Sequence, residues 1–419
     1  YPLVTGVQTC ALPISRENRT VFLSILGISW FWLYGALFLA QFPAYAKNVL
    51  GGAESTVTLL LAIFTIGIGI GSLLCERLSG KRVEIGLVPF GSIGLTLFGL
   101  DLALASPAGP IAGAPLGLGM LLGQWSTWRI LVDLVLIGMF GGFFIVPLYA
   151  LVQVRSATEH RARIIAANNI LNALFMVVGA VAAGALLGAG MTIPWLFAVA
   201  AVCNAVVALY IYGLIPEFLL RFLAWLLVHG AYRLEKRGID HIPVEGPAVL
   251  VCNHVSLVDV LVIMAASPRP VRFLLDERFF RLPILGSLLR RSGAIGADLS
   301  DAHSASLVRV QEEAAATLAA GNLVALFPEV THTPDGHLQP FRPIVTPIVA
   351  RIPAPVIPMA LQGLWGSFFS RIEGRALGRP FRRGLLSRIA IVIGAPLTAD
   401  EATPERLRQA VQDLRGECR

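Results

Sequence analysis

The residues best suited to chemistry in this sequence stand in one short run, Asn253-His254-Val255-Ser256-Leu257-Val258-Asp259. Asp259 can reach back to the His254 imidazole across a single turn of chain. A carboxylate on one ring nitrogen fixes the tautomer and raises the basicity of the other. Such a pair is a general base in search of a hydroxyl to deprotonate. Ser256 is placed to cap a helix starting here through its hydroxyl. A lone histidine and aspartate at this spacing are more often a helix cap and a solvated acid, so the signal needs company. It has company in Phe327-Pro328-Glu329-Val330-Thr331-His332-Thr333-Pro334-Asp335-Gly336, where a carboxylate and hydroxyls suit hydrogen bonding to a polar substrate, and in Val356-Ile357-Pro358-Met359-Ala360. The sequence contains no Gly-x-Ser-x-Gly elbow for a nucleophilic serine. The hydroxyl to be activated therefore belongs to the substrate, which favours direct transfer over an enzyme-bound intermediate.

Each polar run follows an apolar one, and that is what must position it. Ala248–Cys252 reads as a buried strand, with further strands at 323–327, 355–361 and 388–393. Helices are expected over 257–266, 304–320 and 403–414. Strands alternating with helices imply a mostly parallel or mixed sheet covered by helices. His254 then lies where the chain leaves a strand and enters a helix.

The rest of the chain has a different character. Apolar residues make up 56% and charged residues 14% of the 419-residue sequence, against about a quarter charged in ordinary globular domains. From Thr20 to about Leu214 charges are sparse, and six segments approach the roughly 20 apolar residues that cross a bilayer core: 20–42, 56–75, 83–105, 130–153, 165–188 and 194–214. Arg16, Arg19, Arg77, Lys81, Arg82, Arg155, Arg161 and Arg163 fall in alternate loops, which the positive-inside rule places in the cytoplasm together with everything after about Pro216. The Gly/Pro-rich stretch 106–128 is expected to hold a short interfacial piece near Trp125 and Trp128. Segment 217–232 is either a poor seventh crossing or, as preferred here, an interfacial helix with Arg221 snorkelling to the headgroups. Asn168 and Asn172 share one face of a membrane segment, either as a site or as helix-to-helix glue.

The net charge of +7 is scattered, with no concentrated basic, aromatic-rich face, which argues against nucleic acid and for anionic lipid headgroups. Cys10, Cys75, Cys203, Cys252 and Cys418 form neither a zinc nor a disulfide spacing, and Cys252 reads as a buried small residue. The stretch Val4–Ile14 looks like translated adapter sequence, so residues 1–15 are set apart from the fold, and a natural beginning upstream is expected.

The three polar runs together resemble the glycerolphosphate acyltransferase family, which includes the lysophosphatidate acyltransferases. Asn253, His254, Ser256 and Asp259 match its Asn-His-x-Ser-x-x-Asp motif in full. Phe327, Pro328, Glu329 and Thr331 match its Phe-Pro-Glu-Gly-Thr-Arg motif, with Val330 in place of the Gly and His332 where an Arg is common. The resemblance covers about residues 235–398. It implies His254 as general base, Asp259 as its partner, and Asn253, Ser256, Glu329 and Thr331 as substrate-binding residues. The family's arginine-bearing block aligns near Gly293–Asp298, where no Arg stands. Arg342 is either its substitute or a surface residue. This loss favours a lysophospholipid with a masked phosphate, such as lysophosphatidylethanolamine, over lysophosphatidate. The implied co-substrate is acyl-CoA or acyl carrier protein, with no metal or other cofactor. The segment Gly71–Arg82 resembles the loop signature of major facilitator transporters, and the six helices resemble the C-terminal half of such a bundle, most like lysophospholipid transporters. With Ala360–Arg371, the layout resembles bacterial transporter–acyltransferase fusions, some of which continue into an acyl-activating domain.

The resulting expectation is a multidomain chain of the inner membrane. It has a six-helix, all-α transmembrane half-bundle at 16–214, an interfacial amphipathic linker at 215–243 and an α/β acyltransferase domain at 244–419. Its expected partners are membrane lipids, the acyl donor, a missing transporter half and a downstream acyl-activating domain. The rival expectation is a lipid-transporter fragment with an inert cytosolic domain.

Overall fold

The computed structural model describes residues 19–78, 86–107, 115–156, 159–214, 216–256, 258–297, 305–330, 336–367 and 386–417. The adapter-like stretch, Arg16, Lys81, Arg82, Thr331, His332 and the run 368–371 lie outside them. The chain divides into two compact units, Tyr1–Phe222 and Leu223–Arg419.

The first unit is helical. Its long helices are α1 (Arg19–Ala44), α2 (Glu54–Leu78), α3 (Leu87–Ala105), α5 (Trp125–Arg155), α6 (Arg161–Gly188) and α7 (Ile193–Leu214), with a short α4 (Leu118–Leu122) between α3 and α5. All six long helices have the length and apolar composition to cross a membrane. Pro43, near the end of α1, precedes a π-helical turn at Tyr45–Val49, as expected where a missing N–H disturbs the ladder. Glycines let α2 and α5 approach closely. A Cβ on Gly71 would meet the Met139 carbonyl oxygen at 2.0 Å, and one on Gly138 would meet that of Phe64 at 2.4 Å. Small residues four apart on both helices let their backbones approach closely and gain van der Waals contact. Trp125 and Trp128 belong to the first turn of α5, just after the short α4.

The segment expected as a linker over 215–243 folds as helix α8 (Pro216–Ala231), strand β1 (Tyr232–Arg237) and a 3-10 turn at Ile239–His241. Arg221 does not snorkel as expected: it is 4% exposed. Ala224 and Val228 of α8 join the core of the second unit, while Leu223 and Leu226 stay exposed.

The second unit is a seven-stranded sheet. After β1 come β2 (Ala248–Cys252), α9 (Asp259–Ala266), β3 (Val271–Asp276), α10 (Pro283–Arg291), β4 (Ile295–Ala297), α11 (Ala305–Ala319), β5 (Leu323–Leu326), α12 (Val345–Arg351), β6 (Val356–Gln362), β7 (Ser387–Ile393) and α13 (Pro404–Arg415). The strand order is β1-β7-β6-β2-β5-β3-β4, and every neighbouring pair is parallel except β6 with β7. β2 and β5 are buried along their whole length, as parallel strands covered on both faces must be. Two apolar layers, one on each side of the sheet, make that cover. From β2 the chain moves to β3 on one side and later returns to β6 on the other. The carboxyl ends of β5, β2 and β6 therefore meet at a switch point, the usual place for a site in such sheets.

Candidate active site

Asn253 is the first residue past β2, and its side chain continues the sheet. Its Nδ2 donates to the Leu361 carbonyl at 3.1 Å, and its Oδ1 accepts the Leu361 N–H at 2.7 Å. The last backbone rung between β2 and β6 joins Cys252 to Met359, so the amide supplies the next two bonds. At 2% exposure, Asn253 pins β2 to β6 and also borders the neighbouring cleft. Cys252 beside it is buried, and burial pushes its thiol up, in keeping with a packing residue.

His254 is held from three directions. Its Nδ1 lies 2.9 Å from Asp259 Oδ2. Its backbone N–H donates to Glu329 Oε1 at 2.6 Å. Its ring stacks on Phe327, with centroids 4.4 Å apart and planes 20° apart. Because the carboxylate can only accept, Nδ1 carries the proton in this contact and the chemistry falls to Nε2. The imidazole is 14% exposed, enclosed but reachable.

Asp259 is the first residue of α9, where the helix dipole favours an anion. Its Oδ2 also accepts the N–H groups of Val255 at 2.6 Å and Ser256 at 2.9 Å. Asp259 is 0% exposed, and its Oδ1 has no hydrogen-bond partner among the described residues. Ser256 does not cap the helix as expected. Its Oγ accepts from Val258 N–H at 3.4 Å, closing a turn ahead of a helix whose N-cap, Val258, has no side-chain bond. Ser256 is enclosed at this turn, 0% exposed.

The N–H groups of residues 254, 255 and 256, near the helix start, already point at Glu329 and Asp259. They build the dyad and are spent on it.

Glu329 sits in the turn after β5, closed by Val330 N–H to Phe327 O at 3.1 Å. Its second oxygen accepts Gln339 N–H at 2.7 Å. Glu329 thus clamps two loops together beside the cleft, and burial pushes its pKa up to about 7. Val330, where the motif has Gly, has φ of 64°, a left-handed conformation costly for a β-branched residue. Arg342 is exposed, and its backbone N–H bonds Pro328 O at 3.0 Å. It is not among the residues that line the neighbouring cleft of about 210 Å³, which include Asn253, Val255, Glu329, His337, Trp365 and Arg415. The sequence reading passed over Phe327 as the ring platform, Gln339 as the partner of Glu329, and Arg415. Phe327 could have been found from its place at a strand end in the same motif as Glu329.

Residues 233–362 match the family model described as Acyltransferase. A chloroplastic 1-acyl-sn-glycerol-3-phosphate acyltransferase of Brassica napus is 27% identical over 150 residues, 35% of this chain and 42% of that protein. The mouse 1-acyl-sn-glycerol-3-phosphate acyltransferase alpha is 25% identical over 201 residues, 47% of this chain and 67% of that one. The crystal structure of the 1-acyl-sn-glycerophosphate acyltransferase PlsC from Thermotoga maritima aligns at 22% identity and a TM-score of 0.37, covering 49% of this chain and 76% of that chain. The chain spans about two-fifths of the plant relatives it matches. A helical region followed by an α/β domain carrying the His254–Asp259 pair at its strand ends is thus the setting of the match, and residues 233–362 are similar to acyltransferases.

Proposed function

We propose that this protein transfers a fatty acyl group from acyl-CoA or acyl carrier protein to the free hydroxyl of a lysophospholipid. The observation that carries the reading is the 2.9 Å contact of His254 Nδ1 with Asp259 at the exit of β2, which leaves Nε2 as the base. Nε2 takes the proton of the glycerol hydroxyl, and the oxygen attacks the thioester carbonyl. The tetrahedral intermediate expels the thiolate, which recovers the proton from Nε2. One C–O bond forms and one C–S bond breaks, with no acyl group on the protein. Phe327 and Glu329 hold the imidazole for this proton traffic. Lysophosphatidate and lysophosphatidylethanolamine are the acceptors to compare. The relatives' names favour the first. The absence of Arg from 293–298 favours the second.

The setting we propose is the inner membrane of a bacterium. The six apolar helices act as half of a facilitator-type lipid transporter, and the acyltransferase domain faces the cytosol. Six helices of membrane length and the arginines of alternate loops support it. The test is the purified full chain in lipid nanodiscs, given labelled acyl-CoA or acyl carrier protein and both acceptors. Diacyl product that His254→Ala abolishes is expected. No product with either donor and either acceptor would overturn the reading in favour of a lipid-handling protein with an inert domain.

A further inference from the structure

A series of hydrogen bonds joins the last helix of the second unit to the backbone of His254. α13 ends at Arg415, which is 5% exposed and turns back into the cleft beside Asn253 and Glu329. Arg415 Nη2 donates to the carbonyl of Gly336. Seven residues earlier, on the same face of the helix, Arg408 Nη2 donates to the Leu338 carbonyl at 3.4 Å. The loop so held delivers Gln339, whose N–H meets Glu329 Oε2 at 2.7 Å, and Glu329 Oε1 takes His254 N–H at 2.6 Å.

Both ends of the series are fixed. Gln362 Nε2 donates to the carbonyls of Leu414 at 2.8 Å and Arg415 at 3.2 Å, which ties the end of α13 to β6. The preceding residue, Leu361, is the one that grips Asn253. Gly336 has φ of 80°, and a Cβ there would meet the Trp365 ring at 2.9 Å, so the loop packs closely on Trp365. A guanidinium bond to a buried carbonyl is costly to remove, because the carbonyl is left unpaired.

We propose that Arg415 is a positioning residue for His254, acting through Gly336, Gln339 and Glu329. It lies beyond the 233–362 region that matches the family model. Its kinetic consequence rests on the acyl-transfer reading above; its effect on the imidazole does not. Without Arg415 the loop at 336–339 shifts, Glu329 loses one of its two backbone donors, and the anchor of the His254 backbone loosens. Displacing a general base by about 1 Å costs on the order of a hundredfold in rate.

The test uses the full chain in nanodiscs, as wild type, Arg415→Ala, Arg415→Lys and, as a control, the exposed Arg406→Ala. Arg415→Ala is expected to lower kcat by about ten- to a hundredfold with KM for the donor little changed, and Arg415→Lys to recover part of the loss. An independent readout is carbethoxylation of His254 by diethyl pyrocarbonate, mapped by mass spectrometry. We expect labelling about tenfold faster in Arg415→Ala, with His241 and the Arg406→Ala protein unchanged. Labelling of His254 at the wild-type rate in Arg415→Ala would overturn the proposal. So would His254 and His241 rising together, which would mean general loosening. A wild type without turnover sinks the acyl-transfer reading and leaves the labelling comparison to decide Arg415.

Discussion

The two units bury polar groups in different ways. In the helical unit most buried polar side chains are neutral, Asp133 and Arg221 being the charged ones among the described residues, and several of the neutral ones tie helices together. Ser29 Oγ donates to Asn172 Oδ1 at 2.9 Å, joining α1 to α6. Trp30 Nε1 donates to Asn204 Oδ1 at 3.0 Å, and Asn204 Nδ2 reaches the Ser92 carbonyl at 2.9 Å, joining α1, α7 and α3. In the sheet unit the buried groups include two carboxylates, Asp259 and Glu329, and what they grip is backbone N–H. The first arrangement is glue. The second holds one imidazole in one tautomer at a strand end. Of the two asparagines left open as site or glue, Asn172 is glue, while Asn168 is buried with no partner among the described residues.

If that contrast is right, substitutions in the two units should fail differently. The largest effect should come from Asp259→Asn, which removes the charge that three donors share. Acyl transfer should fall by about a thousandfold, read as kcat, while the packing of the helical unit is untouched. A mild loss would mean the carboxylate is only structural.

Next is Glu329. Its pKa is raised from 4.5 to about 7 by burial, so the folded state holds its proton more tightly than the unfolded chain does. The stabilising share is fully present below about pH 4.5 and is lost as pH rises through about 7, by up to about 3 kcal/mol across the window. In Glu329→Gln this slope should vanish from pH-dependent melting. At pH 7 His254 should also loosen, because the amide accepts on one atom only. A slope that persists in the variant would place the titration elsewhere.

A smaller gain is expected from Val330→Gly. Relief of the left-handed strain should outweigh glycine's greater chain entropy and raise stability by about 1 kcal/mol, seen as a higher Tm. Smallest is Asn172→Ala in the helical unit, about 0.6 kcal/mol in melting with acyl transfer unaltered. A large loss of turnover from that variant would show that the two units are coupled.

How much of this was readable beforehand differs by element. β2, β5, β6 and β7 are apolar runs of strand length, and all four lie within a residue or two of where the sequence puts them. β1 reads Tyr232-Arg-Leu-Glu-Lys-Arg237, an edge strand whose charges hide its alternation. β4 is three residues long, too short to show any period. In the site, the spacing of His254 and Asp259 is a local fact, because both lie on one turn of chain. Asn253 meeting Leu361, Glu329 meeting Gln339 and Arg415 meeting Gly336 are contacts across long separations. On α13 an arginine in the last turn looks like any solvated helix charge. Only the loop packed over it makes it internal.

The most direct test of the central claim is a single-turnover reaction with acyl-labelled acyl-CoA and lysophospholipid, quenched in acid and split into lipid and protein fractions. Direct transfer on His254 predicts label in diacyl lipid alone, and none in the lipid of the His254→Ala protein. Label that passes through the protein fraction, or diacyl lipid formed at the wild-type rate without the imidazole, would contradict it.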